Sequence, residues 1–237
     1  MSERTDAFPW TEPWLKDEEL VADETVTRHF ASGAQHVKLD TRLHSDDYVR
    51  SRLAPRYRQV DYLCLSDIAN WLPTVTGAMA GRRILDYGSG SAPYRSLFGD
   101  CEYVCADFGL ESTATTVPLG EGGLLNSSES TSFGAVMSFQ VLEHVDEPAT
   151  YLAEARRVLE PGGLLLLTTH GIFPKHSVPV DYWRWTADGL IRTVSNAGFH
   201  VESAVRLTTS RRAVAQLAAR PAAHWCVPAA RRAAQRL

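Results

Sequence analysis

Two glycines that follow an acid are the first residues to indicate chemistry. In Asp86-Tyr87-Gly88-Ser89-Gly90, the glycines let the backbone turn tightly and approach a ligand that any side chain would obstruct. Asp107 lies about twenty residues further on, where an acid is well placed to accept both hydroxyls of a ribose. Asp86, Gly88, Gly90 and Asp107 are therefore candidate binding residues for a ribose-containing cofactor.

Pro93 distinguishes between the cofactors that such a turn can bind. In the dinucleotide fingerprint, a third glycine stands at this position, where helix and strand pack closely around a pyrophosphate. Proline removes one N–H that could bind phosphate, and the acid before the glycines suits a ligand with positive charge. S-adenosylmethionine carries an ammonium and a sulfonium, so the motif favours it over NAD. Asp107 suits both.

Strands and helices alternate around these residues. Apolar runs predict buried strands at 82–90, 101–109, 133–140 and 164–169, a weak strand within 110–132 and a sixth strand at 199–207. Helical spacing predicts one amphipathic helix from Arg52 to Trp71 and a short helix from Pro93 to Phe98.

Two later helices are also predicted. The first begins at Asp146 and Pro148, ends before Pro161-Gly162-Gly163, and has an inward face of Leu152, Ala155, Val158 and Leu159. The second is capped by Thr186, ends at Gly198, and turns Leu190, Ile191, Val194 and Ala197 inward.

This alternation predicts the fold class. It is α/β, with a doubly wound, mostly parallel sheet and helices on both faces, since each parallel crossover must pack back on the sheet. Ligands of such sheets lie at the carboxyl ends of the strands. Asp86, Asp107, Gln140 and the segment around residue 170 all fall at such ends.

Length and charge distribution indicate how the chain is divided into segments. The 237 residues, 44% of them apolar, suffice for one full-sized core. We expect an N-terminal arm or lid at 1–50, a cofactor-binding domain at 51–207 and a basic helical extension at 208–237. Residues 1–24 carry eight carboxylates, whereas 203–237 carry seven arginines and no acid, so the two ends are electrically opposite.

Composition excludes several classes of function. The net charge of −4 gives no electrostatic reason to expect nucleic acid as the main partner. The four cysteines form no C-x-x-C pair, which argues against zinc or disulfides and favours a reducing cytoplasm. No apolar run is long enough for a membrane span, and the N-terminus is unlike a secretory signal. The basic extension could still make weak contact with an anionic surface.

The chain resembles a known family over residues 82–205. The segments ILDYGSG, SFGAVMSFQVLEHV, RVLEPGGLLLLTTH and HSVPVDYWRWTADGLIRTVSNAGF, in this order, are similar to class I S-adenosylmethionine-dependent methyltransferases of the bacterial small-molecule type. The resemblance implies a Rossmann-like, seven-stranded type of sheet with a helical N-terminal arm. Many members finish with an antiparallel hairpin, whereas residues 208–237 favour an Arg/Ala-rich helix.

The resemblance also implies roles on the cofactor side. Asp86, Gly88 and Gly90 would surround the methionine part of S-adenosylmethionine, and Asp107 would hold the ribose. Phe108 would pack on the adenine, and Gln140 would lie against the cofactor. The acid that often binds the adenine amino group has only Glu121 as a candidate match.

Methyl transfer to a hydroxyl requires that the acceptor lose a proton, which a histidine serves well near neutral pH. His144 and His176 are the candidates for this catalytic base. The alternative to a catalytic role is that these histidines are structural and hydrogen-bonded. Glu143, Asp181, Tyr182 and Arg184 are candidates for binding the acceptor through hydrogen bonds. No clustered oxygen-ligand pattern supports a metal, and we expect none.

The leading hypothesis is O-methylation of a small molecule, namely a sugar, a glycoside or another specialised metabolite, in natural-product biosynthesis or polysaccharide modification. The acceptor class rests on the resemblance, because fold alone does not determine substrate. N-methylation of an amino sugar or amine, an NAD-dependent oxidoreductase and a non-catalytic cofactor-binding scaffold are the alternatives. A homodimer stays open.

Overall fold

The computed structural model describes residues 46–56, 59, 61–108, 116–176, 180–209 and 211–214, and the backbone of 25–30 and 33–38. The strands are β1 (Thr25–Phe30), β2 (Gly33–Lys38), β3 (Arg83–Tyr87), β4 (Glu102–Asp107), β5 (Val117–Pro118), β6 (Phe133–Phe139) and β7 (Leu159–Thr168). The α-helices are α1 (Asp46–Leu53), α2 (Tyr62–Trp71), α3 (Pro148–Val158) and α4 (Ala187–Asn196).

The central sheet is parallel and confirms the predicted fold class. Its described strands follow the order β5-β4-β3-β6-β7. The chain runs outward from β3 to β5, then returns to β6 on the other side of β3. The strand order therefore reverses between β3 and β6, and open α/β sheets bind ligands in the crevice at such a point.

Alternating side chains of the sheet form a core on each face. Leu85 and Tyr87 of β3 pack with Leu152 and Ala155 of α3 on one face. Ile84 packs on the other face with α2, through Ile68. The predicted inward face of α3 is confirmed except at its last position, since Leu159 already belongs to β7.

The predicted helix from Arg52 to Trp71 is wrong, because the segment forms two helices. α1 begins earlier, at Asp46, and ends at Leu53, and α2 begins only at Tyr62. Pro55 explains the break, since proline disfavours helical backbone at the residue before it and cannot donate to the turn behind it.

Other elements also differ from expectation. The predicted sixth strand at 199–207 is absent, because alternation forms a strand only where a neighbouring strand offers its ladder. The short helix at 93–98 is reduced to a 3₁₀ turn, Arg95–Leu97. The arm is not wholly helical, since β1 and β2 form an antiparallel hairpin within it.

The weak strand within 110–132 is confirmed as β5, which is only two residues long. Thr186 caps α4 as predicted, its Oγ1 accepting from the Gly189 N–H. Most of the basic extension lies outside the described residues, which reach only to 214. Within the described residues, no helix combines the length and the apolar character needed to cross a membrane.

Candidate active site

The glycine turn lies where β3 ends, and each of its two positions favours glycine for a different structural reason. Gly88 has a φ of +81°, and a Cβ there would lie 2.7 Å from two methyl carbons of Val141. Gly90 has a φ of +52°, but a Cβ there would meet none of the described residues within 4 Å. Gly88 thus lets the turn pack against the segment after β6, while Gly90 borders open space that a cofactor can occupy.

Asp107, at the end of β4, ties the turn to the neighbouring strand. Its Oδ2 accepts from the Gly90 N–H at 2.6 Å, and its Oδ1 accepts from the Phe108 N–H at 2.7 Å. Each carboxylate oxygen keeps further lone-pair capacity, and the side chain is only partly buried. Asp107 can therefore accept ribose hydroxyls while it holds Gly90 in place.

Asp86 is buried on the face of β3 that packs towards α2. Its Oδ2 accepts from the Tyr103 hydroxyl at 2.5 Å. Burial raises the pKa of Asp86 to about 7, although the Tyr103 hydrogen bond works in the opposite direction. A ligand ammonium nearby would favour the ionised carboxylate, so this group fits the positive charge of S-adenosylmethionine.

Gln140 follows β6 with a φ of +59°, uncommon for a residue other than glycine. Its Nε2 donates to Thr168 Oγ1 at 3.0 Å, which links the ends of β6 and β7. The ring of Phe108 lies near Gly123, in the turn that begins at the exposed Glu121. The open space at Gly90, the buried acid and the half-buried Asp107 together fit S-adenosylmethionine.

A second group of side chains gathers where β6 and β7 end. We call Glu143, His144, His170, His176 and Asp181 the histidine cluster. The rings of His144 and His176 have centroids 4.7 Å apart, and those of His170 and His176 lie 5.0 Å apart. The structure thus brings both predicted base candidates together with a third histidine.

Glu143 lies at the centre of this cluster, and its side chain is fully buried. Its Oε2 accepts from Thr169 Oγ1 at 2.9 Å. Its Oε1 lies 3.2 Å from His170 Nε2 and 3.9 Å from His144 Nε2. Burial raises the pKa of Glu143 above its usual range.

The imidazoles of His144 and His170 are held neutral. Burial, with a contribution from His176, lowers the pKa of His144 to about 4, and the same causes lower the pKa of His170 further. His144 Nδ1 lies 2.5 Å from the Val180 carbonyl oxygen. A carbonyl only accepts, so Nδ1 carries the proton and Nε2 presents its lone pair.

The loop after β7 closes over these residues through backbone hydrogen bonds. The Tyr182 N–H donates to the Glu143 carbonyl at 2.8 Å, and the Trp185 N–H donates to the His170 carbonyl at 3.0 Å. These bonds dock the loop on the ends of β6 and β7. Tyr182, a predicted acceptor contact, is half-buried beside Glu143.

Asp181 and Arg184 form an ion pair within this loop. Arg184 also donates to the carbonyls of Phe173, Pro174 and Trp183, so its guanidinium cross-links two parts of the same loop. Asp181 accepts from the backbone N–H of His176 at 2.9 Å. Burial opposes ionisation, but hydrogen bonds from His176 and Arg184 outweigh it and hold the pKa of Asp181 well below its usual range.

Sequence reasoning missed two residues of the site. His170 lies two residues after β7, and the rule that ligands gather at carboxyl ends of strands pointed to its segment without singling it out. Tyr103 is near Asp86 because the parallel register pairs Asp86 with Cys105 and puts Tyr103 on the same face. No local signal in the sequence predicts that contact.

Comparison with known proteins agrees with the geometry. Residues 85–167 match a family model described as a methyltransferase domain. The ubiquinone biosynthesis O-methyltransferase of Cereibacter sphaeroides is 26% identical over 148 residues, which cover 54% of this chain and 53% of that protein. The chain thus spans about half the length of the curated relatives it matches.

Solved structures with a similar course of the chain have low sequence identity. A methyltransferase from Bacillus halodurans is 20% identical, with a TM-score of 0.49, over 58% of this chain and 71% of that one. An S-adenosylmethionine-dependent methyltransferase from Mesorhizobium loti is 16% identical, with a TM-score of 0.45, over 58% of this chain and 82% of that one.

The parallel sheet, the glycine turn with its two acids and the match to the family model agree with one another. Over residues 85–167, the chain is similar to methyltransferase domains. The site described above fits S-adenosylmethionine as the cofactor.

Proposed function

We propose that this protein transfers a methyl group from S-adenosylmethionine to a hydroxyl oxygen of a small acceptor that lies against the histidine cluster. One observation carries the proposal. The cofactor side, at the ends of β3 and β4, and the histidine cluster, beyond β6 and β7, lie at the same edge of one parallel sheet.

The chain's own residues position and deprotonate the acceptor. When bound, S-adenosylmethionine would supply a methyl group already activated by a positive sulfur, with the demethylated neutral thioether as the leaving group. Methyl transfer then depends largely on holding the acceptor oxygen in line with the methyl carbon. His144 and His176 stay the candidates for accepting the hydroxyl proton, and the structure adds His170 beside them.

Asp181 and Arg184 serve this reaction by shaping the loop. Their polar atoms are largely engaged with each other and with loop carbonyls, so we assign them to orienting His176 and Tyr182. Glu143 and Tyr182 stay candidates for contact with the acceptor. Asp86, Gly88, Gly90, Asp107, Phe108 and Gln140 are the proposed cofactor contacts.

The acceptor is proposed to be a sugar, a glycoside or another hydroxyl-bearing specialised metabolite. A polar pocket of histidines and carboxylates suits several hydrogen bonds to such a molecule. The name of the Cereibacter relative favours a second candidate, a hydroxyl of a quinone precursor. We place the reaction in the cytoplasm, consistent with the free thiols of Cys64, Cys101 and Cys105.

A methyl-transfer assay tests the function directly. Purified protein is incubated with methyl-labelled S-adenosylmethionine and separate panels of sugars and glycosides, phenols, and amines, with Asp107→Ala as the cofactor-site control. Labelled ether products that disappear in the control support the proposal. Labelled amines alone would replace it with N-methylation, and NAD binding without S-adenosylmethionine binding would overturn it.

A further inference from the structure

The histidine cluster has the composition of a metal site. Glu143, His144 and His176 each offer one ligand atom, and these three atoms all lie within 4.8 Å of one another. We propose that these three residues bind a divalent transition-metal cation such as Zn²⁺, Co²⁺ or Mn²⁺. We expected no metal from the sequence, because it shows no clustered oxygen-ligand pattern, and these three residues span 143–176.

Glu143 supplies the independent observation that points to a ligand. Its side chain is fully buried, yet Oε1 has no hydrogen-bond donor among the residues that the structure describes. Thr169 holds the other oxygen, Oε2, and so fixes the direction of the carboxylate. A buried carboxylate oxygen is costly without a partner, and a cation coordinated there would remove that cost.

The two histidines are oriented in the way that metal ligands usually are. His144 donates from Nδ1 to the Val180 carbonyl, which leaves the lone pair of Nε2 directed towards the Glu143 side. A backbone carbonyl on the far ring nitrogen is a common outer-shell partner of metal-bound histidine. His176 Nδ1 is buried and, within the described part of the chain, has no hydrogen-bond partner.

The charges around the cluster leave room for a cation. Arg184 neutralises Asp181 through their ion pair, and Asp181 also lies 3.5 Å from His176 Nδ1. Oε1 of the buried Glu143 carboxylate lies 3.2 Å from His170 Nε2 and 3.9 Å from His144 Nε2, and no lysine or arginine side chain is paired with it among the described residues. A divalent cation would compensate the negative charge of Glu143 and would also be coordinated by neutral imidazoles.

The donor set favours transition metals over Mg²⁺ and Ca²⁺, since two of its three ligands are imidazoles. Tetrahedral bonds of about 2.0–2.2 Å put ligand atoms roughly 3.4 Å apart, so the side chains would close in by about 1 Å on the ion. Three protein ligands leave a coordination position open.

That position would give the cation a role in methylation, and this role rests on the proposed function. An acceptor hydroxyl bound there would have its pKa lowered and its oxygen held in place. His144 and His176 would then act on the acceptor through the cation rather than as proton acceptors themselves. Metal binding itself does not depend on that activity.

Metal titration of tag-free, chelator-stripped protein tests the site. We expect one equivalent of Zn²⁺ by calorimetry, and a Co²⁺ absorption spectrum that lacks a thiolate charge-transfer band. Glu143→Gln and His176→Ala should each weaken binding by more than about 100-fold, beyond what loss of an outer-shell partner costs. The matched control is His200→Ala, which removes an exposed histidine outside the cluster.

Two variants separate metal binding from the proposed methyl transfer. Asp107→Ala should lose S-adenosylmethionine binding and keep the metal, whereas Glu143→Gln should do the reverse, which also shows that it is folded. No binding of Zn²⁺, Co²⁺ or Mn²⁺ to the wild type, or binding that Glu143→Gln leaves unchanged, would overturn the metal site. Metal binding without any methyl transfer would overturn only the function.

Discussion

The cofactor side and the histidine cluster are assembled in opposite ways. On the cofactor side, one short turn and one acid on the neighbouring strand make direct contact, through the Gly90 N–H and Asp107. The histidine cluster draws Glu143, His170 and His176 from separate segments, and a docked loop holds them together. The comparison teaches that the proposed cofactor site needs only one turn and an adjacent strand, whereas the proposed acceptor site depends on how strand ends and a loop converge.

The largest expected effect separates the two regions by function. Glu143→Gln should lower methyl-transfer turnover by about 10²–10⁴-fold, in the range for loss of a positioned group at the reacting centre. The S-adenosylmethionine Kd should change little, because Glu143 contacts the histidines and Thr169 rather than the glycine turn. Steady-state kinetics and calorimetry measure the two quantities, and a parallel loss of both would break the comparison.

Asp107→Ala should have the converse effect. Loss of the carboxyl acceptor for two ribose hydroxyls, at about 1.5–3 kcal/mol for each hydrogen bond, predicts a Kd for S-adenosylmethionine at least about 100-fold weaker. Calorimetry checks it, with His170→Ala as the matched variant that should bind the cofactor normally. Unchanged affinity in Asp107→Ala would remove Asp107 from the cofactor site.

The two glycines sharpen the comparison within the cofactor side. Gly88→Ala combines left-handed backbone strain with a clash against Val141, so we expect it to lower the free energy of unfolding by about 2–4 kcal/mol. Gly90→Ala meets no neighbour among the described residues, so it should cost about 1–2 kcal/mol while still impairing cofactor binding. Urea unfolding measures both, and equal losses would contradict the assignment of different roles.

The smallest effect is a pH dependence. The pKa of Asp86 is raised to about 7 by burial, so without ligand its carboxyl is largely protonated at pH 6 and ionised at pH 8. Because the cationic ligand favours the ionised form, affinity for S-adenosylmethionine should rise by about tenfold between these pH values. The same measurement on Asp86→Asn should lack this rise, and the ligand's own titration is common to both proteins.

The same shift has a consequence for stability. A raised pKa in the folded state means that Asp86 favours folding below its ordinary pKa of 3.8, and that this contribution is lost as the pH rises towards 7. The Tm of Asp86→Asn relative to wild type should therefore increase between pH 5 and pH 8. A difference that stays constant over this range would contradict the raised pKa.

Local sequence patterns predicted those strands and caps that are determined by residues close together in the chain. The strands β3, β4 and β6 are short apolar runs, and β7 contains the run predicted at 164–169 up to Thr168 but begins earlier, at Leu159. The cap of α4 at Thr186 is a single side chain bonded to its own helix. The predictions of one helix across Pro55 and of a strand at 199–207 were wrong, because local periodicity does not show where a helix breaks or whether a partner strand is present.

By itself, the sequence determined the α/β class, the glycine turn with Asp86 and Asp107, and the two histidines as candidates for chemistry. These are properties of spacing along one chain, and steric and hydrogen-bonding rules act on them over a few residues. Only the tertiary structure decided that Gly88 packs on Val141, that Tyr103 bonds Asp86, and that His170 joins Glu143 beside His144 and His176. Sheet register and loop docking create those contacts between distant residues, and no local pattern encodes them.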